Sequence, residues 1–144
     1  MIEQDTIRLL RECDAGVKMG VTSIDEVMDY VTGDNLKAYL NQCKDEHEEL
    51  NSKIQHLLGE YHDDGKDPNP IAQGMSWIKT NAKLLQNPSD HTVADLITDG
   101  CNMGVKSLNK YLNEYKAADE RSKDIAKKLI RMEDSLAKDI RKYL

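Results

Sequence analysis

Near the middle of an apolar stripe formed by Leu36, Leu40, Cys43, Leu50, Ile54, Leu57 and Tyr61, at a position that suits a leucine, stands His47. Imidazole titrates near neutral pH and is a common metal ligand, so a histidine on a core-facing stripe is the first residue to ask about. Asp14 falls on the stripe of the preceding segment, between Leu10 and Val17. If the chain turns near Thr32 and Gly33, residues whose numbers sum to about 65 face one another, which sets His47 level with Lys18 and Asp14 about one helical turn away. An inward carboxylate is costly unless paired, so the spacing predicts a hydrogen-bonded Asp14/His47 couple. Such a couple reads in three ways. It is a core contact that fixes register, or a metal or small-ligand site completed by Lys18 or a nearby carboxylate such as Glu46, or an acid/base pair. No nucleophile or substrate cradle accompanies it, which weighs against catalysis.

The remaining candidates are weaker. Glu46, Glu48 and Glu49 flank the apolar stripe and read as a solvated face. Cys13, Cys43 and Cys101 form no Cys-x-x-Cys spacing, and a zinc site would need four ligands converging within about 2.3 Å of one point. They read as small buried side chains. An odd number of thiols within helical patterns also predicts a reducing, cytoplasmic setting.

The elements that must position these residues are helices. Ile7, Leu10, Val17, Val21, Ile24, Met28 and Val31 alternate steps of three and four, predicting a first helix capped by Asp5 and stopped at Gly33. Asp34 caps the second, and the short connection makes the two antiparallel neighbours. His62 to Asn69 reads as a break rich in turn formers. Beyond it, Ile71, Met75, Ile78, Ala82 and Leu85 predict a short amphipathic helix on a long crossover, with Met75 and Trp77 reading as a lid over the core or an edge for a partner. Ser89 or Asp90 caps a third long helix carrying Val93, Ile97, Cys101, Gly104, Leu108, Tyr111 and Tyr115. Ile125, Leu129, Met132, Leu136, Ile140 and Tyr143 mark a fourth, with Asp119 as the one cap between them; a continuous helix from Asp90 to Leu144 is the alternative.

The chain of 144 residues is the size of a single domain, 1–144. Its net charge of −6 argues against the basic face that nucleic acid requires. No early apolar run resembles a signal peptide and no apolar stretch is long enough to cross a bilayer, so neither export nor a membrane is expected.

Cys13-Asp14-Ala15-Gly16-Val17-Lys18 matches Cys101-Asn102-Met103-Gly104-Val105-Lys106 at four of six positions, so the first and third helices look like counterparts. The bland account is that the glycines let helices approach; the alternative is a pseudo-symmetric site where duplicated hairpins meet. With this repeat, the helix order, the crossover and the segments Gln73–Asn81 and Ala94–Leu112, the chain resembles the ferritin-like superfamily, in particular its small bacterial bundles of unknown function. The resemblance implies an all-α, antiparallel four-helix bundle of two helical hairpins, with a long crossover containing a short fifth helix. It also implies, where the site is intact, two iron or manganese ions held by one Glu from each of two helices and a Glu-x-x-His from each of the others.

This sequence departs from that pattern. The triplet ending at His47 begins with Lys44, the fourth helix has no histidine, and Lys18 and Lys106 follow the Gly-Val pairs where carboxylates would be needed. Two divalent ions beside lysines would lack both charge compensation and oxygen ligands. The expectation is therefore a non-catalytic structural or interaction protein, self-associating or bound to another protein and without a cofactor. The alternative is a degenerate binder of iron, manganese or a small ligand through His47, Asp14 and Glu46.

Overall fold

The computed structural model describes residues 2–68 and 86–144, and there the regular structure is all helical, with no strand among the described residues. Four long helices follow in order: α1 (Ile2–Met28), α2 (Asp34–Glu60), α3 (Asp90–Glu114) and α4 (Glu120–Asp139), with a 3-10 turn at Ile140–Tyr143. No described helix is long and apolar enough to cross a membrane. The short helix expected around Ile71 to Leu85, and the lid or partner edge read for Met75 and Trp77, lie outside the described residues.

Helix boundaries follow from which polar group satisfies each end. Helix α1 starts ahead of Asp5, whose carboxylate instead accepts from the Ala117 backbone N–H at 3.0 Å. It also ends at Met28, short of the expected Val31. The turn that follows is held from a distance: the Asp90 carboxylate accepts from the N–H groups of Thr32 at 2.7 Å and Gly33 at 3.0 Å. Gly33, with extended backbone, is the residue that precedes α2, so Asp34 begins that helix and does not cap it. Ser89 caps α3 by accepting from Thr92 N–H, and Asp119 caps α4 by accepting from Ser122 N–H at 2.8 Å. The chain leaves helical geometry between Glu114 and Glu120, which excludes one continuous helix from Asp90 onward.

Across the α1/α2 pair, Lys44 meets Asp25 at 2.7 Å while Asn51 and Gln55 meet Asp14 at 2.9 and 2.7 Å. Helix α1 also packs on α3 and α4, and α3 packs on α4. The buried side chains form two apolar clusters. One gathers Ile24, Val27, Leu36, Leu40, Leu96 and Leu136; the other gathers Leu9, Leu10, Val17, Leu50, Ile54 and Leu129. Each fully buried leucine or isoleucine contributes about 1.5–3 kcal/mol relative to exposure, so these halves hold the bundle together.

The boundary between the halves is a layer of different chemistry. Gly20 lies between Val17 and Ile24 on α1, His47 between Cys43 and Leu50 on α2, Gly104 between Cys101 and Leu108 on α3, and Glu133 between Leu129 and Leu136 on α4. Every helix thus interrupts its apolar stripe at the same level.

Candidate functional site

His47 is buried, and both of its ring nitrogens are engaged. Nδ1 lies 2.7 Å from the Cys43 carbonyl oxygen, one turn back on α2, and Nε2 lies 2.7 Å from Glu133 Oε1 on α4. A carbonyl oxygen can only accept, so Nδ1 donates. With a carboxylate at Nε2, the ring is best satisfied as an imidazolium donating from both nitrogens. Burial opposes that charge, but the Glu133 hydrogen bond and negative charge, aided by the Cys43 carbonyl and Glu46, outweigh it and raise the pKa above the ordinary 6.5.

The expected partner of His47 was Asp14, and the structure corrects this. Asp14 is fully buried one turn away and is saturated by other donors. Its Oδ1 accepts from Asn51 at 2.9 Å and Gln55 at 2.7 Å, and its Oδ2 accepts from Lys18 Nζ and the Lys66 backbone N–H, both at 2.9 Å. The register sum of about 65 places Asp14 against Asn51 correctly, but the carboxylate points to the loop after α2. Gly65 makes this approach possible: its φ of 89° is in the left-handed region, and a Cβ there would collide with Asp14 Oδ2. Arg11 with Asp63, Lys66 with Glu12 and Lys18 with Asp67 add ion pairs along the same loop.

Glu46, the third candidate ligand, is exposed and accepts from Gln42 on its own helix. Lys44 reaches outward to Asp25, and Lys106 is exposed. His47, Asp14 and Glu46 therefore do not converge. Among the described residues, no three His, Cys, Asp or Glu side chains are grouped so as to hold a metal ion. The donor set does not fit the two-metal centre that the ferritin-like resemblance implies: Glu133 occupies a suitable level, but its one close partner among the candidate ligands is an imidazole with no lone pair left to give.

Glu133 is the residue that sequence reasoning missed. The fourth stripe was expected to run through Met132; the residues buried in α4 are Ser122, Ala126, Leu129, Glu133 and Leu136. The steps of four, three, four and three from Ser122 would have found it. Two glycines frame the pair. A Cβ on Gly20 would lie 2.9 Å from His47 Cδ2, and a Cβ on Gly104 would meet the Glu133 carboxyl at 3.6–3.8 Å. Cys101, beside Glu133, and Cys43 are buried free thiols. Burial, then the charge of Glu133, pushes the Cys101 pKa up, and burial raises Cys43 to about 11, so both stay neutral thiols rather than nucleophilic thiolates.

Among the described residues, a cleft of about 450 Å³ between α1 and α3 is lined by Met19, Gly20, Cys101 and Gly104 together with His47 and Glu133.

Compared with known proteins, the chain matches no family model, no curated protein and no solved structure.

Proposed function

We propose that this chain is a non-catalytic structural or interaction protein of ferritin-like architecture, in which a His47–Glu133 ion pair stands where a metal centre would be built. The arrangement is an antiparallel four-helix bundle of two hairpins joined by the long crossover between α2 and α3. The register supports the first hairpin, since Asp25 meets Lys44 and Asp14 meets Asn51 across a short turn. The observation that carries the functional reading is the double engagement of His47. An imidazolium that donates to Cys43 and Glu133 can neither ligate a metal nor take up a proton. Three buried free thiols fit a reducing, cytoplasmic setting, and the absence of a charge relay or activated nucleophile at the pair fits a role in association with a second copy or another protein.

The test is metal stoichiometry by elemental analysis after anaerobic incubation with ferrous iron and removal of the excess. The expected result is less than about a tenth of an ion per chain. Binding near the two ions of a ferritin-type centre would overturn this reading.

A further inference from the structure

Helices α2 and α4 share a face that is tied at both ends. Tyr39 donates to Asp139 at 2.8 Å at one end, Arg121 meets Glu60 at 2.9 Å at the other, and His47 meets Glu133 between them. Residue numbers fall along α4 as they rise along α2, so residues whose numbers sum to about 180 stand level. The residues lining the two hollows of this face all belong to α2 and α4, whereas Pro68, which borders residues 69–85, lies along the α1/α3 cleft. Partly buried Leu57, Ile125 and Met132 give the face an apolar strip between its edges. The edges carry charge in matching order. Arg131 on α4 stands level with Glu49 on α2, with Lys128 one turn away, and Asp124 stands level with His56, with Lys53 one turn away. Among the described residues, Glu49, Lys53, Asp124, Lys128 and Arg131 are exposed and take part in no ion pair.

A patch that binds a copy of itself does so about a two-fold axis, and two such axes can lie in this face. An axis across the helices lays each helix on its own counterpart; with the faces fully overlapped, Glu49 meets Glu49 and Arg131 meets Arg131. An axis along the helices lays α2 of one copy on α4 of the other. Because a two-fold rotation allows no slide along its axis, level residues stay level. Glu49 of each copy then faces Arg131 and Lys128 of the other, and Lys53 and His56 face Asp124. We infer that the chain forms a homodimer through the α2/α4 face, about a two-fold axis parallel to the helices. The stretch from Tyr39 to Glu60 is about 33 Å long and two helices are about 20 Å wide. Their footprint is on the order of 700 Å², close to the roughly 800 Å² per partner of a standard interface. This rests on the reading of the chain as an association protein and specifies the partner, a second copy, and the surface.

Sedimentation velocity at low ionic strength tests this on the intact chain and on the charge reversals Glu49→Lys and Arg131→Glu, with far-UV circular dichroism to confirm that the helices persist. The intact chain sediments as a dimer that weakens as salt is raised. Each reversal sets like charges together twice across the axis, weakens the dimer about tenfold or more and shifts the variant towards monomer. An equimolar mixture of the two variants moves back to dimer, because every facing pair is then again of opposite sign. Lys106→Glu, at an exposed position of α3, leaves the dimer unchanged. A monomeric intact chain, a dimer indifferent to both reversals or equally sensitive to Lys106→Glu, or a mixture that stays monomeric overturns the inference. None of these outcomes touches association through another face or with another protein, whereas two ferrous ions per chain would overturn that broader reading whatever the sedimenting mass.

Discussion

At the residue scale, the central object is an ion pair that is costly to break and cheap to replace. Removing one member of a buried pair strands the other charge, whereas replacing both with apolar groups of similar volume removes the desolvation cost as well. His47→Ala is therefore expected to lower unfolding free energy by about 3 kcal/mol, and the double variant His47→Leu/Glu133→Met to recover most of that loss in urea denaturation. A double variant as unstable as the single one would show that the pair does more than satisfy itself. His47 was legible in the sequence because an imidazole on an apolar stripe breaks the pattern visibly. Glu133 was not, because in an acidic chain a glutamate beside Met132 looks like one more solvated carboxylate, and steps of three and four from Leu129 are equally helical.

At the element scale, the helices are tied less by their own caps than by side chains reaching from elsewhere. Asp90 holds the turn between α1 and α2, Asp5 holds the connection between α3 and α4, and Asp14 anchors the loop that leaves α2. Asp14→Ala leaves Asn51, Gln55 and the Lys66 N–H without their acceptor, and is expected to cost about 3 kcal/mol. Hydrogen exchange of the Lys66 amide should accelerate well beyond that of amides in the middle of α2; unchanged protection would contradict the anchoring role. The four long helices and the α1/α2 register were legible, because three-and-four spacing over more than twenty residues is a strong signal. The destinations of Asp5 and Asp14 were not. Each is satisfied by a backbone N–H more than fifty positions away, and nothing local in the sequence encodes such a contact.

At the scale of the whole molecule, the layer of Gly20, His47, Gly104 and Glu133 makes stability depend on pH. The folded-state pKa of His47 lies above its ordinary 6.5, so the protonated ring binds more tightly in the folded chain. Its contribution is fully present below that ordinary value and is lost as pH rises through the raised one. Thermal midpoints should therefore fall across the alkaline side of neutrality, and this component should vanish in the double variant. Cys43 and Cys101 titrate too high to mimic it. The repeat aligns Gly16 with Gly104, whereas the layer holds Gly20, one turn further along α1, and its chemistry comes from α2 and α4, which the repeat does not include. The most direct measurement is the pH titration of the His47 imidazole nitrogens by NMR in ¹⁵N-labelled protein. The account predicts an imidazolium with both nitrogens protonated at about neutral pH and a midpoint above the ordinary histidine value. A neutral ring with one bare nitrogen under those conditions would contradict it, and would restore His47 as a ligand or base.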